Sequence, residues 1–187
     1  MGVGSVASYT APDEEDPTMQ HDLLDEALEA WEDTRQGVIA EAENVPADRY
    51  GFRPDEDVRS VRELLLHIME VSLMMVGELA RETTDFTRAP FPELLEEHGG
   101  PIRGLESRDE LLEALRSTLE EGTATLREVG EIHMLGPARR FDGERGTRLA
   151  WLHHGVAQEM YHRGQLCTYE RLMGRVPALT KRIRGQG

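Results

Sequence analysis

The chain lacks the residues that would tie it to an oxidising compartment, a nucleic acid or a membrane. Its one cysteine, Cys167, has no partner for an internal disulfide. Lysine occurs once, at Lys181, and acidic residues outnumber basic ones 36 to 21, for a formal net charge of -15. A chain so acidic, with no cluster of basic residues, repels a phosphate backbone and an anionic bilayer alike, so neither nucleic acid nor membrane is expected as a partner. No apolar run is long enough to span a bilayer, and the opening "MGVGSVASYTAPDEEDPTMQ" has neither the basic nor the apolar region of a secretory signal. A cytoplasmic location is the expectation. Also missing are an internal repeat and any convincing alternating strand.

What is present is helical periodicity. At 187 residues the chain suits one domain with a sizeable core. Residues 1–18, rich in Gly, Ser, Pro and acid, read as a disordered or loosely packed tail, and 19–187 as the domain. From Asp22 to about Glu43, apolar residues recur at three- and four-residue steps, which predicts an amphipathic helix ending before "NVPADRYGFRPDED". Ser60, with Glu63 three residues on, opens a second helix that is apolar on most of its circumference and so belongs at the centre of the core. Ser107 and Glu110 open a third in the same way, which runs to about Gly130, where a loop to Gly146 begins, and a fourth runs from about Thr147 to Met173, with Gly174 and Pro177 ending it.

The connection Thr83–Glu106, with three prolines and three glycines in 24 residues, is long enough to be functional and to hold a short helix at "FPELLEEH". A tight turn is expected at Asp142-Gly143. Four long helices and two long connections predict an all-α four-helix bundle with crossovers.

Bundles build metal and cofactor sites from inward-facing side chains of opposed helices. His67 lies in "ELLLHIMEV", close to buried surface whichever way it points. A lone histidine on an apolar helix is more often a hydrogen-bonded core residue than a ligand, so a second clue is needed. The fourth helix, "WLHHGVAQEMYHRGQLCTYERLMGRVP", places His154, Gln158 and His162 four residues apart along one face, while His153 points about a hundred degrees away. Two such side chains and a histidine from another helix make a three-ligand set with open positions. A buried polar network of His162, Arg163 and Gln165 explains the same stretch without a metal, and spacing alone leaves both readings open.

The combination of "FRP…SVRELLLHI" and "YHRGQL…LMGRVP", in that order and at that separation, resembles the DinB/YfiT-like family of four-helix bundles, from about His21 to Pro177. In that family a divalent metal, often nickel or zinc, is held by one histidine of the second helix and two of the fourth, four residues apart. The resemblance therefore implies His67, Gln158 and His162 as ligands, with Gln158 standing where the family has histidine. That glutamine leaves three outcomes open: a weaker site completed by Gln158 and water, recruitment of His154 from one turn earlier, or a lapsed site. The resemblance also implies a homodimer.

Members of the wider superfamily include transferases and isomerases that use mycothiol, bacillithiol or glutathione. The leading expectation is a metal-dependent thiol S-transferase acting on a small electrophile, with Arg163 either orienting an acidic thiol cofactor or pairing structurally. Cys167 reads as a packed residue rather than the nucleophile. The alternatives are a non-catalytic, stress-associated bundle with a degenerate metal site, and a metal-dependent hydrolase using Glu70 or Glu159 as base.

Overall fold

The computed structural model describes residues 22–185, so the tail expected at 1–18 lies outside the described residues. In chain order the helices are α1 (Leu23–Asn44), α2 (Val61–Leu79), α3 (Phe91–Gly99), α4 (Arg108–Met134), α5 (Arg148–Leu172) and α6 (Ala178–Ile183). The four long ones form the expected bundle. α1 packs on α4 and α5, and α2 packs on the same two, so α1 and α2 face each other across one diagonal and α4 and α5 across the other. Each diagonal joins helices consecutive among the long four, and the return between diagonals is the long 80–107 connection.

The helix starts follow their capping residues. Asp22 accepts from the Asp25 amide, and Thr147 from that of Ala150. Ser60 with Glu63, and Ser107 with Glu110, form complete capping boxes in which each side chain meets the other residue's amide. Each such cap is worth about 1 kcal/mol, which fixes where the helix begins. α2 buries Leu64, Leu65, Ile68, Met69 and Met74 almost completely, as a central element must.

One buried guanidinium joins all four long helices. Arg35 of α1 donates to both carboxylate oxygens of Glu159 on α5 at 2.9 and 2.6 Å, to Ser72 of α2 at 2.9 Å, and to Leu115 O and Thr118 of α4 at 2.9 and 3.0 Å.

The connections hold more structure than periodicity predicts. β1 (Thr84–Asp85) pairs parallel with β2 (Pro137–Arg139), which pairs antiparallel with β3 (Arg145–Thr147). The expectation of no strand fails here because segments of two or three residues are too short to show alternation. The β2–β3 turn falls at Asp142-Gly143 as expected, with Gly143 at φ +83°. Arg148, at the start of α5, donates to Thr84, His133 O and Glu82 O, fastening this sheet to the bundle. α3 confirms the short helix expected at "FPELLEEH". α4 runs past its expected stop: Gly130, at φ 77°, ψ 167°, kinks the helix, and a last turn buries Met134. α6 was not foreseen; its first amides, of Ala178 and Leu179, donate to the Glu41 carboxylate of α1 at 2.6 and 3.1 Å.

Candidate functional site

The two histidines that sequence placed on separate helices meet. The rings of His67 (α2) and His162 (α5) lie 4.9 Å apart, edge to face at 84°. Gln158, one turn before His162, lines the same cavity, and neither its amide oxygen nor its amide nitrogen has a hydrogen-bond partner although both are buried. Buried polar atoms in native proteins are nearly always paired, so an amide with both ends idle beside two imidazoles calls for a ligand.

The rotation of α5 that presents this face is set by the neighbouring residue. Glu159 is held on the α1 side by Arg35 and by the Trp31 indole, which donates to it at 2.8 Å. Consecutive helical residues diverge by about 100°, so anchoring Glu159 there turns Gln158 and His162 toward α2.

His162 Nδ1 lies 2.7 Å from the side-chain amide oxygen Oε1 of Gln165. That acceptor fixes the proton on Nδ1 and leaves Nε2 with its lone pair, the arrangement in which histidine ligates metals. Burial, followed by the Arg59 guanidinium and His162, pushes His67 down to about 4. Burial also lowers His162, against the Gln165 hydrogen bond.

Other sequence candidates take different places. His154 is exposed and packs against Trp151 at the edge of the cavity, ring centroids 4.6 Å apart and planes tilted by 57°. His153 is exposed. Arg163 does not join His162 and Gln165 in one network; it turns toward α1, its Nε 3.9 Å from Glu41. Cys167 neighbours Glu41 and Glu170, and burial with Glu41 alongside pushes its thiol up to about 11, which suits a packed residue and not a nucleophile.

Both candidate bases are committed. Glu159 is bound to Arg35, and Glu70 accepts from Arg103 Nε at 2.6 Å. Among the described residues two further clusters of donor side chains occur, Glu41–Cys167–Glu170 and Glu78–Glu97–His98. The first caps α6. In the second, Glu78 accepts from Arg88 at 2.9 and 2.5 Å and lies 2.8 Å from His98 Nε2, a network that fastens α3 to α2.

Two cavities meet at His67 and Phe91. The inner chamber, about 400 Å³, has walls of Met74, Met75, Phe141, Trp151 and Tyr161 around Gln158 and His162. The outer vestibule, about 460 Å³, is polar, with Arg53, Arg59, Glu56, Asp57 and Glu63. Sequence reasoning missed the aromatic wall, because Phe91 and Phe141 lie in separate connections that no periodicity links.

These features define a helical bundle with a histidine-lined cavity between two of its long helices. A model of the DinB superfamily matches residues 14–166, and the chain belongs to that superfamily. The fold is similar to that of a DinB-like protein of Bacillus subtilis, YjoA, with TM-score 0.62 and 21% identity over 81% of this chain and 93% of that one. It is also similar to YfiT of Bacillus subtilis, described as a probable metal-dependent hydrolase with an unusual four-helix bundle topology, with TM-score 0.61 and 17% identity over 90% of this chain and 96% of that one. No curated protein matches the chain. No helix among the described residues is long and apolar enough to cross a membrane.

Proposed function

We propose that the protein is a metal-dependent enzyme in which His67, Gln158 and His162 hold one divalent ion, nickel or zinc, and that it adds a low-molecular-weight thiol to a small electrophile. The observation that carries the reading is the idle, buried Gln158 amide beside the facing His67 and His162 rings. The donor set fits a borderline first-row ion: two imidazoles and an amide oxygen, all neutral. When bound, such an ion keeps its full charge, favours an anionic fourth ligand and lowers the pKa of a thiol or of water.

The chain's own residues do the rest. Gln165 holds the His162 ring, the aromatic wall makes the chamber largely apolar, and Arg59 stands in the vestibule as a cation that a carboxylate-bearing thiol can meet. In the addition the S–H bond breaks, a C–S bond forms, and the proton ends on the electrophile. Glu159 is held in the core by Arg35 and Glu70 pairs with Arg103, so the transfer reading routes no proton through either carboxylate.

Hydrolysis is the second reading, favoured by the likeness in fold to YfiT. The test is a conjugation assay with bacillithiol, mycothiol and glutathione on zinc- and nickel-loaded protein. Thiol-dependent turnover that chelation removes is the expected result. Turnover without thiol favours the hydrolase, and silence with every thiol leaves a binding protein.

A further inference from the structure

The chain has only ten Phe, Tyr and Trp residues, and five of them, Phe86, Phe91, Phe141, Trp151 and Tyr161, gather at the inner chamber. Phe141 stands between Phe86, Phe91 and Trp151, with centroids 4.9, 5.4 and 5.9 Å away. Phe91, Phe141 and Tyr161 remain 40%, 39% and 66% exposed. Scattered exposed aromatics are ordinary, but several around one opening mark a binding site. The chamber's volume of about 400 Å³ is near the low end for small-molecule sites and suits one ring system with short substituents.

Its polar atoms narrow the class further. The Trp151 indole N–H is buried with no acceptor, and the Gln158 amide N–H is likewise unpaired. An all-hydrocarbon occupant would leave both donors idle. A carbonyl oxygen on an aromatic ring offers the Trp151 N–H an acceptor while the ring packs on Phe141.

We propose that the chamber binds a planar aryl carbonyl compound and that Trp151 is the residue that recognises its oxygen. The assignment takes from the proposed function only that the substrate enters this cavity.

The test uses the two tryptophans as reporters. In ¹⁵N-labelled full-length protein, Trp31, buried against Glu159, gives one indole N–H signal and Trp151 the other, identified with Trp151→Phe. Titration with 4-methylacetophenone should move the Trp151 signal saturably and leave that of Trp31 in place. Cyclohexyl methyl ketone, which keeps the oxygen and lacks the aromatic ring, should bind about three- to tenfold more weakly. The hydrocarbon p-xylene should bind about tenfold more weakly. Trp151→Phe should abolish the preference for the ketone over p-xylene.

A silent Trp151 signal, equal binding of the saturated ketone, or a ketone preference that survives Trp151→Phe overturns the proposal. The titration is run on both metal-free and zinc-loaded protein. A Trp151 response in a chain that binds no zinc removes the proposed function and keeps the aryl carbonyl site. Zinc bound through His67 with Trp151 silent does the reverse.

Discussion

Replacing Glu159 by glutamine keeps the side chain's size and removes its charge, stranding the Arg35 guanidinium in the centre of the bundle. Both side chains are essentially inaccessible, at 0% and 1% exposure. Arg35 would keep its bonds to Ser72, Thr118 and Leu115 O, but its charge would have no counterpart. Breaking a buried pair in this way costs about 3–5 kcal/mol. In a domain of this size each kcal/mol lowers Tm by about 2–4 °C, so Glu159→Gln should melt roughly 6–20 °C below wild type. The double variant Arg35→Met/Glu159→Leu removes both charges and should be no less stable than Glu159→Gln, because apolar replacements tolerate the site that a lone charge does not. Urea and thermal melts of the single and double variants measure this. A cost below about 1 kcal/mol for Glu159→Gln, the value of an exposed pair, or a double variant weaker than the single one would refute the role given to this pair.

Three further outcomes are expected. Gln158→His should tighten zinc binding on the order of tenfold, since imidazole replaces a neutral amide, and an unchanged affinity in calorimetry would take Gln158 out of the ligand set. Burial, with Glu41 beside it, pushes the Glu170 carboxyl up from its ordinary 4.5. The folded state therefore holds a proton that the unfolded chain releases. That contribution is fully present below pH 4.5 and is lost as the pH rises through the raised value. Relative to Glu170→Gln, wild type should lose stability between pH 5 and pH 8 in urea melts, with parallel pH profiles as the contrary result. Cys167→Ser should leave any thiol-transfer rate within about twofold, because the reacting sulfur comes from the added thiol, and a rate that collapses with the fold intact would make Cys167 the nucleophile.

Much of the bundle was legible because its signals are local. Ser60–Glu63 and Ser107–Glu110 announce helix starts in four residues, and the apolar circumference of α2 marks it as central. Helical spacing left the pairing of His67 with His162 as one of two open readings, and the family resemblance was what implied it, since no spacing rule joins residues so far apart. Gln158 was visible as a departure from the family's histidine, but its buried, idle amide was not. A stronger reading of α1 was available: Arg35 sits one turn after Trp31 on the apolar face, a charge at a core position that demands a buried partner. The small sheet and the aromatic wall depend on two connections meeting in space, Thr84 with Ala138 and Phe91 with Phe141, and nothing in either segment points to the other.

The central claim is that one divalent ion is held between α2 and α5 by His67 and His162. Calorimetric titration of metal-stripped protein with zinc, alongside His67→Ala and His162→Ala, tests it most directly, with circular dichroism confirming that each variant keeps its helix content. Near-stoichiometric binding by wild type and a loss on the order of a hundredfold or more in both variants is the predicted result, since each alanine removes one of only three protein ligands. Binding of equal strength in wild type and both variants, or no binding by wild type, would contradict it.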